Sequence, residues 1–289
     1  MSGTKRHHEH ETVLVTGVRT PFARAFGELA DLDTIALGVA AVRGLLERTG
    51  IDPALVGEVV WGSVLFRSDA PNTAREIVFD ANLPRSIPGV TLTRACLSGL
   101  NAITYAACAI ERGQYEVAIA GGSDSTSNAE APLPRRLTRA LAELFMTGGG
   151  LSWRKIRRAL GRLESVGDLL PRMPRIAERF TGLTMGQHAD DMARANAISR
   201  EAQDRFAMRS HERAHAAIVS GRFDEEVVPV ELPGGRRLER DTIVRAKIDP
   251  EKVARLRPVF REGGTITAAS SSPLTDGASC VLLMSTERA

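Results

Sequence analysis

Between Cys96 and Arg112 the chain carries Leu97, Leu100, Ala102, Ile103, Ala106, Ala107, Cys108, Ala109 and Ile110, a helical run with almost no polar face. A helix of that kind has to be covered on every side, so it belongs between layers of a fold and not on a surface. Gly99, Ala102, Ala106 and Ala107 keep it slim enough for close approach by its neighbours, and Gly113 closes it. Cys108, well inside the run, reads as a small core residue. The β-like stretch Val90-Thr-Leu-Thr93 leads in, which puts Cys96 at a strand-to-helix junction. Unpaired N–H groups and the macrodipole at a helix N-terminus favour a thiolate there. An inert buried thiol is the competing reading of position alone.

The elements around this helix alternate. Thr12–Val18 reads as a buried strand entering the loop Arg19-Thr-Pro-Phe22, and Leu32–Thr49 as a helix ending on Gly50. Val56–Leu65 is a second strand, Asn72–Asn82 a helix before Pro84, Val90–Thr93 a third strand and Val117–Gly122 a fourth. The final run to Met284 is a fifth. Strands alternating with helices at this spacing call for an α/β fold with a mainly parallel sheet covered on both faces.

After Gly121-Gly-Ser-Asp-Ser-Thr-Ser127 the texture changes to a Pro-, Gly- and Arg-rich tract. From Arg135 to Arg179 eleven Lys/Arg face four acids, a local +7 that leaves −4 on the rest of a chain of net charge +3. Basic character confined to one segment does not imply general nucleic-acid binding. Leu137–Phe145 and Trp153–Leu163 are each expected as helices with a basic face. A solvated excursion, a membrane-surface or partner-docking hairpin, and a site for anionic cofactor phosphates all fit that pattern. Further on, Gly182-Leu-Thr-Met-Gly-Gln-His188 leads into a helix, and Ser199–Gly221 is another, opened by a Ser-Arg-Glu-Ala cap. His211 and His215 lie four apart on it and read as exposed polar residues, because no third ligand is near for a metal. The polar start, with His7, His8 and His10, reads as a solvated terminus lacking a signal sequence. Cys96, Cys108 and Cys280 form neither a disulfide framework nor a zinc site, so a reducing, cytoplasmic setting is expected, with no metal. The Ser-rich stretch Ser270-Ser-Ser-Pro273 suits a ligand contact as well as an ordinary turn.

Taken together, these motifs resemble the thiolases. Arg94-Ala-Cys96-Leu-Ser98-Gly-Leu-Asn-Ala102, Ala120-Gly-Gly-Ser-Asp-Ser-Thr-Ser127, Met185-Gly186 and Thr265-Ile-Thr-Ala-Ala-Ser-Ser-Ser-Pro-Leu-Thr-Asp-Gly-Ala278 fall in family order, with Arg19-Thr-Pro-Phe22 ahead of them. The likeness runs from about Val13 to Met284, and it is nearest to the thiolase subunit of fatty-acid-oxidation complexes. It implies a thiolase-like layered fold: a five-stranded mixed sheet with a buried helix, built from residues 1–127 and 263–289. A loop domain, 128–262, would be inserted and would bind CoA. Cys96 would attack a 3-oxoacyl-CoA, release acetyl-CoA and carry the acyl group to free CoA, or run the condensation in reverse. Met185 would lie near the reacting end and Ser272 near the pantetheine arm, with CoA a substrate and no permanent cofactor. A homo-oligomer, or a complex with a second subunit, is the implied assembly.

The sequence departs from the family pattern in two ways. Ser270 stands where many relatives have Asn. The Gly-His-Pro, Asn-Glu-Ala-Phe and Cys-x-Gly motifs that a complete thiolase takes from a second, similar half do not occur. The match gives His188, His211 and His215 no part in the chemistry, so the thiolate's base and the second acid/base are missing. The expectation is one half of a thiolase, inactive or nearly so alone. A condensing enzyme of the ketoacyl-synthase kind and a non-catalytic acyl-CoA-binding or scaffold subunit are the alternatives.

Overall fold

Alternating side chains on three central strands sort the fold into two layers. In the computed structural model, which describes residues 11–145, 152–171 and 177–289, strand β3 (Glu58–Gly62) sends Val59 and Trp61 to one face and Val60 to the other. Strand β5 (Val117–Ser125) sends Val117 and Ile119 one way, Ala118 and Ala120 the other, and β8 (Thr275–Ser285) divides Cys280 and Leu282 from Leu283. The first face is closed by α1 (Thr34–Thr49) and α2 (Thr73–Asp80), through Leu37, Val42, Leu45, Ile77 and Val78, all fully buried. Each such side chain contributes about 1.5–3 kcal/mol by leaving water. Asp33 caps α1, its carboxylate accepting the Ala36 N–H at 2.8 Å, and Gly50 ends it at φ 62°.

The second face carries α3 (Ser98–Glu111), which rests on the sheet through Ala102, Ala106 and Ile110. The helix expected to be covered all round is covered on this side only. Leu97 is 56% exposed, Leu100 61% and Tyr105 41%, and Cys108 is exposed where a core position was expected. Cover for that flank does not come from the described residues.

The sheet runs in the order β1 (Thr12–Arg19), β8, β5, β3, β4 (Gly89–Leu92), with the two-residue β2 (Ala23–Arg24) pairing on the start of β8. Only β3 with β4 and β3 with β5 are parallel. The sheet is therefore mixed, not mainly parallel. β8 begins at the end of the sheet where β5 finishes, Asp276 opposite Ser125, so it runs back antiparallel along β5.

The remaining elements are α4 (Arg135–Phe145), α5 (Trp153–Leu160), α6 (Met185–Ala195), α7 (Arg200–Val219), a hairpin of β6 (Val230–Leu232) and β7 (Arg236–Leu238), and α8 (Pro250–Ala254). Of the stretch 128–262, only Ala129–Gly182 separates as its own compact unit, and Leu183–Ala289 packs with the part of the chain before Ala129. Within the smaller unit Arg158 and Arg162 both pair with Glu143, at 3.1 and 2.8 Å. The tail with His7, His8 and His10, and Arg172 and Arg175 of the basic segment, lie outside the described residues. No helix among the described residues is long and apolar enough to cross a membrane.

Candidate active site

Cys96 is held by a turn and not by a helix. α3 begins at Ser98 and not at Cys96 as expected, so the cysteine stands two residues ahead of the helix. Arg94 and Leu97 close the turn, Leu97 N–H donating to Arg94 O at 3.0 Å, and Ser98 N–H donates to Ala95 O at 3.1 Å. The Ser98 hydroxyl fastens both ends: Oγ accepts the Arg94 N–H at 2.9 Å and donates to Ala95 O at 2.6 Å. Ala95 is thereby kept at φ 46°, a left-handed conformation that a residue with a side chain adopts at a cost of about 1–3 kcal/mol. Strain immediately before a nucleophile-type side chain is the kind of cost a fold retains for function.

The turn needs a flat floor. A Cβ on Gly62, at the end of β3, would stand 2.6 Å from Gly99 N, and one on Gly122 would stand 2.8 Å from Gly62 O and 3.5 Å from the Gly99 Cα. Glycine at these two strand positions lets the start of α3 settle directly on the backbone of the sheet. The exposed Cys96 then opens on a cavity of ≈ 240 Å³ whose walls include Phe22, Val64, Ser98, Asp124, Gly277 and Ser279.

Asp124 follows Ala118, Ala120 and Gly122 on the α3 face of β5, so the strand's period of two delivers a carboxylate to this cavity. Its Oδ1 accepts from Leu65 N–H at 2.8 Å, Val64 N–H at 2.9 Å and Ser63 Oγ at 3.1 Å, which fixes the loop after β3 as a cavity wall. Burial pushes the Asp124 carboxyl up, against the pull of those three donors. Neither Asp124 nor the Ser98 clamp is singled out by sequence reasoning; the available signal is the Gly-Gly pair within β5 with an acid two residues on.

A second acid holds strand ends together. Asp276 is fully buried and accepts from Ser127 N–H at 2.9 Å and Ser127 Oγ at 2.5 Å, tying the end of β5 to the start of β8. At the start of the chain, Arg19 forms a two-pronged pair with Asp241 (2.7 and 2.9 Å) and lies over the rings of Phe22 and Phe223.

Met185 is the first residue of α6, half exposed behind a capping box of Thr184 and Gln187, and Ser272 lies exposed in the turn before β8. Neither is among the residues lining the Cys96 cavity. Cys280 is enclosed between β1 and β5, and burial pushes its thiol well up, which suits an inert core residue. His211 and His215 are half-buried and not exposed as expected. The Arg245 N–H donates to His211 Nδ1 at 3.2 Å, and burial, with Arg245 adding to it, lowers the His211 pKa. Among the described residues no group of three or more His, Cys, Asp and Glu side chains is placed to hold a metal.

A cysteine on a strained, Ser-clamped turn above a glycine floor is accompanied by a family match over nearly the whole chain: residues 12–287 fit the family model described as thiolase, N-terminal domain. The chain belongs to the thiolase family. Among curated thiolases it is 41% identical over 288 residues to the 3-ketoacyl-CoA thiolase of Aeromonas salmonicida, covering 99% of this chain and 65% of that protein. It is 39% identical over 284 residues to the 3-ketoacyl-CoA thiolase of Serratia proteamaculans, covering 98% and 64%. Two thiolase crystal structures superpose well. The Bacillus anthracis acetyl-CoA acetyltransferase gives a TM-score of 0.81 at 31% identity, and the Acat5 thiolase from Ascaris suum in complex with coenzyme A gives 0.79 at 30% identity. Each match covers 96% of this chain and 66% of the other. This thiolase chain thus spans just under two thirds of the length of the relatives it matches.

Proposed function

We propose that Cys96 is the acyl-carrying nucleophile of a cytoplasmic thiolase of fatty-acid metabolism, the condensation being the reverse of the cleavage. In the cleavage direction the Cys96 thiolate adds to the 3-oxo carbonyl of a 3-oxoacyl-CoA and the C2–C3 bond breaks. The electron pair of that bond leaves on C2, which takes up a proton as acetyl-CoA departs. The acyl thioester left on Cys96 then passes to the sulfur of free CoA, whose proton is given up, and the cysteine is restored. The observation that carries this reading is the open cavity at Cys96, with its turn locked by Ser98 over Gly62 and Gly122. The names of the relatives support it over a ketoacyl-synthase-like enzyme or a non-catalytic scaffold.

In this reading the loop domain, 128–262, holds CoA, with Met185 toward the reacting end and Ser272 toward the pantetheine arm. A thiolase of known structure in complex with coenzyme A supports that ligand. The basic helices α4 and α5 expose Phe145 and Trp153, which favours docking on an anionic membrane surface. The exposed apolar flank of α3 supports an assembly in which a further subunit or domain covers it.

No histidine lines the Cys96 cavity among the described residues, and the one carboxylate there, Asp124, already accepts from Ser63, Val64 and Leu65, so the base for the thiol is expected from outside this chain. Incubation with a 3-oxoacyl-CoA, followed by intact-mass measurement, is expected to show a slow acyl adduct on Cys96 that C96A abolishes. CoA-dependent cleavage is expected to stay near background. A persistent adduct in C96A removes the nucleophile assignment, and turnover at an ordinary enzymatic rate removes the need for an outside base.

A further inference from the structure

The first half of α6 is bound to the segment 260–266 at three successive places. The Phe260 ring lies flat against Gly186, where any Cβ would strike it. Arg261 makes a two-pronged pair with Asp191, at 2.5 and 3.2 Å. Asp190 then takes the chain itself: its Oδ1 accepts the Thr265 N–H at 2.7 Å, the Ile266 N–H at 3.1 Å and the Thr265 hydroxyl at 3.2 Å. From α7, Gln203 Nε2 donates to the same Thr265 hydroxyl at 2.9 Å. Beyond Ile266 the path stays fixed, Thr267 N–H donating to Ser270 Oγ at 2.9 Å and Ser271 Oγ to Thr267 O at 2.7 Å, up to Ser272.

The acid at this position is held only partly satisfied. Asp190 is only 3% exposed, and its Oδ2 is buried without a hydrogen-bond partner among the described residues. Leaving one carboxylate oxygen in that state costs on the order of 1–3 kcal/mol, and an apolar side chain would avoid it only by leaving the Thr265 and Ile266 N–H groups without an acceptor. What the carboxylate does supply is three convergent bonds that set the register of two segments some seventy-five residues apart in the chain. One carries Met185 five residues before Asp190, a little over one helical turn away. The other leads into the Ser272 turn.

We propose that Asp190 is a positioning residue that locks the helix bearing Met185 to the segment leading to Ser272, and so sets the geometry of the pantetheine-binding part of the CoA site. The inference rests on the reading above that these two residues contact CoA. The test is calorimetric titration of the 289-residue chain with CoA and, separately, with adenosine 3′,5′-bisphosphate, which lacks the pantetheine arm.

D190A is expected to weaken CoA about tenfold while changing the bisphosphate less than about twofold. D190N, whose amide oxygen accepts the same three bonds, is expected to stay within about threefold of wild type for both ligands. Should D190A fail to fold by circular dichroism, Q203A carries the test by removing the donor to Thr265, with an expected loss of about threefold for CoA alone. No loss of CoA affinity in these variants, or an equal loss of both ligands, overturns the positioning role and leaves the CoA reading standing. A wild-type chain that does not bind CoA overturns the CoA reading, and the inference with it.

Discussion

The two faces of the central sheet are built from the same strands but differ in how they are finished. On one, α1 and α2 enclose Trp61, Leu37, Leu45 and Ile77, and the lead helix is capped at both ends, by Asp33 and Gly50. On the other, α3 touches the sheet through Ala102, Ala106 and Ile110, has no side-chain cap at Leu97 and turns Leu100 and Tyr105 outward. The closed face holds Cys280, enclosed and hard to ionise; the open one presents Cys96 and Cys108 to solvent. The difference teaches that the larger buried core and the accessible thiols are separated across one sheet. The strained Ala95 and the cavity sit on the face with the smaller core, and the larger core on the opposite face stabilises the unit that carries them.

The contrast is broken most directly by matched deletions. Leu45→Ala is expected to cost about 2–5 kcal/mol in urea unfolding, whereas Leu100→Ala stays within about 0.5 kcal/mol in this chain; similar losses at both positions would erase the distinction between the faces. Thiol chemistry sharpens it next. With iodoacetamide, Cys96 and Cys108 are expected to react about a hundredfold faster than Cys280, with Cys96 ahead of Cys108, as read by peptide mass spectrometry. Equal, slow labelling of all three would mean that the turn is not formed.

A pH effect follows from Cys280. Its folded-state pKa lies above the unfolded value, so above about pH 8.5 the unfolded chain gives up a proton that the folded one keeps, and stability falls as pH rises. The expected slope from this thiol is about −1.4 kcal/mol per pH unit, absent below that pH. C280A is expected to flatten the alkaline limb of a stability profile by that amount, and an unchanged limb would contradict the burial. The smallest effect is at the cap: Asp33→Ala should cost about 1 kcal/mol, while Leu97→Ala, which removes no capping bond, should cost less. Thermal melts of the two variants decide it.

Much of the fold was legible because local periodicity and strand-to-helix spacing are local properties. α1 reads from the stripe Ile35, Val39, Val42 and the terminal Gly50, and β8 reads from its apolar run. The mixed sheet did not follow from alternation, because β8 arrives after a long excursion and its direction depends on which end of the sheet it enters. At the site, Cys96 stood out as a polarisable nucleophile at a junction. Asp124 and Asp190 did not, since their partners, Ser63–Leu65 and Thr265–Ile266, lie some sixty and seventy-five residues away.

The sequence by itself determined the order of elements, the cysteine at the β4–α3 junction and, through motifs in fixed order, the family. Only the tertiary structure decided that α3 begins at Ser98, that Ala95 bears the strain and that one flank of an apolar helix faces outward. A hydropathy pattern states that a surface must be buried, but not what buries it. The conformation of a turn is set by the hydrogen bonds and close contacts that surround it, and those exist only once distant segments have packed.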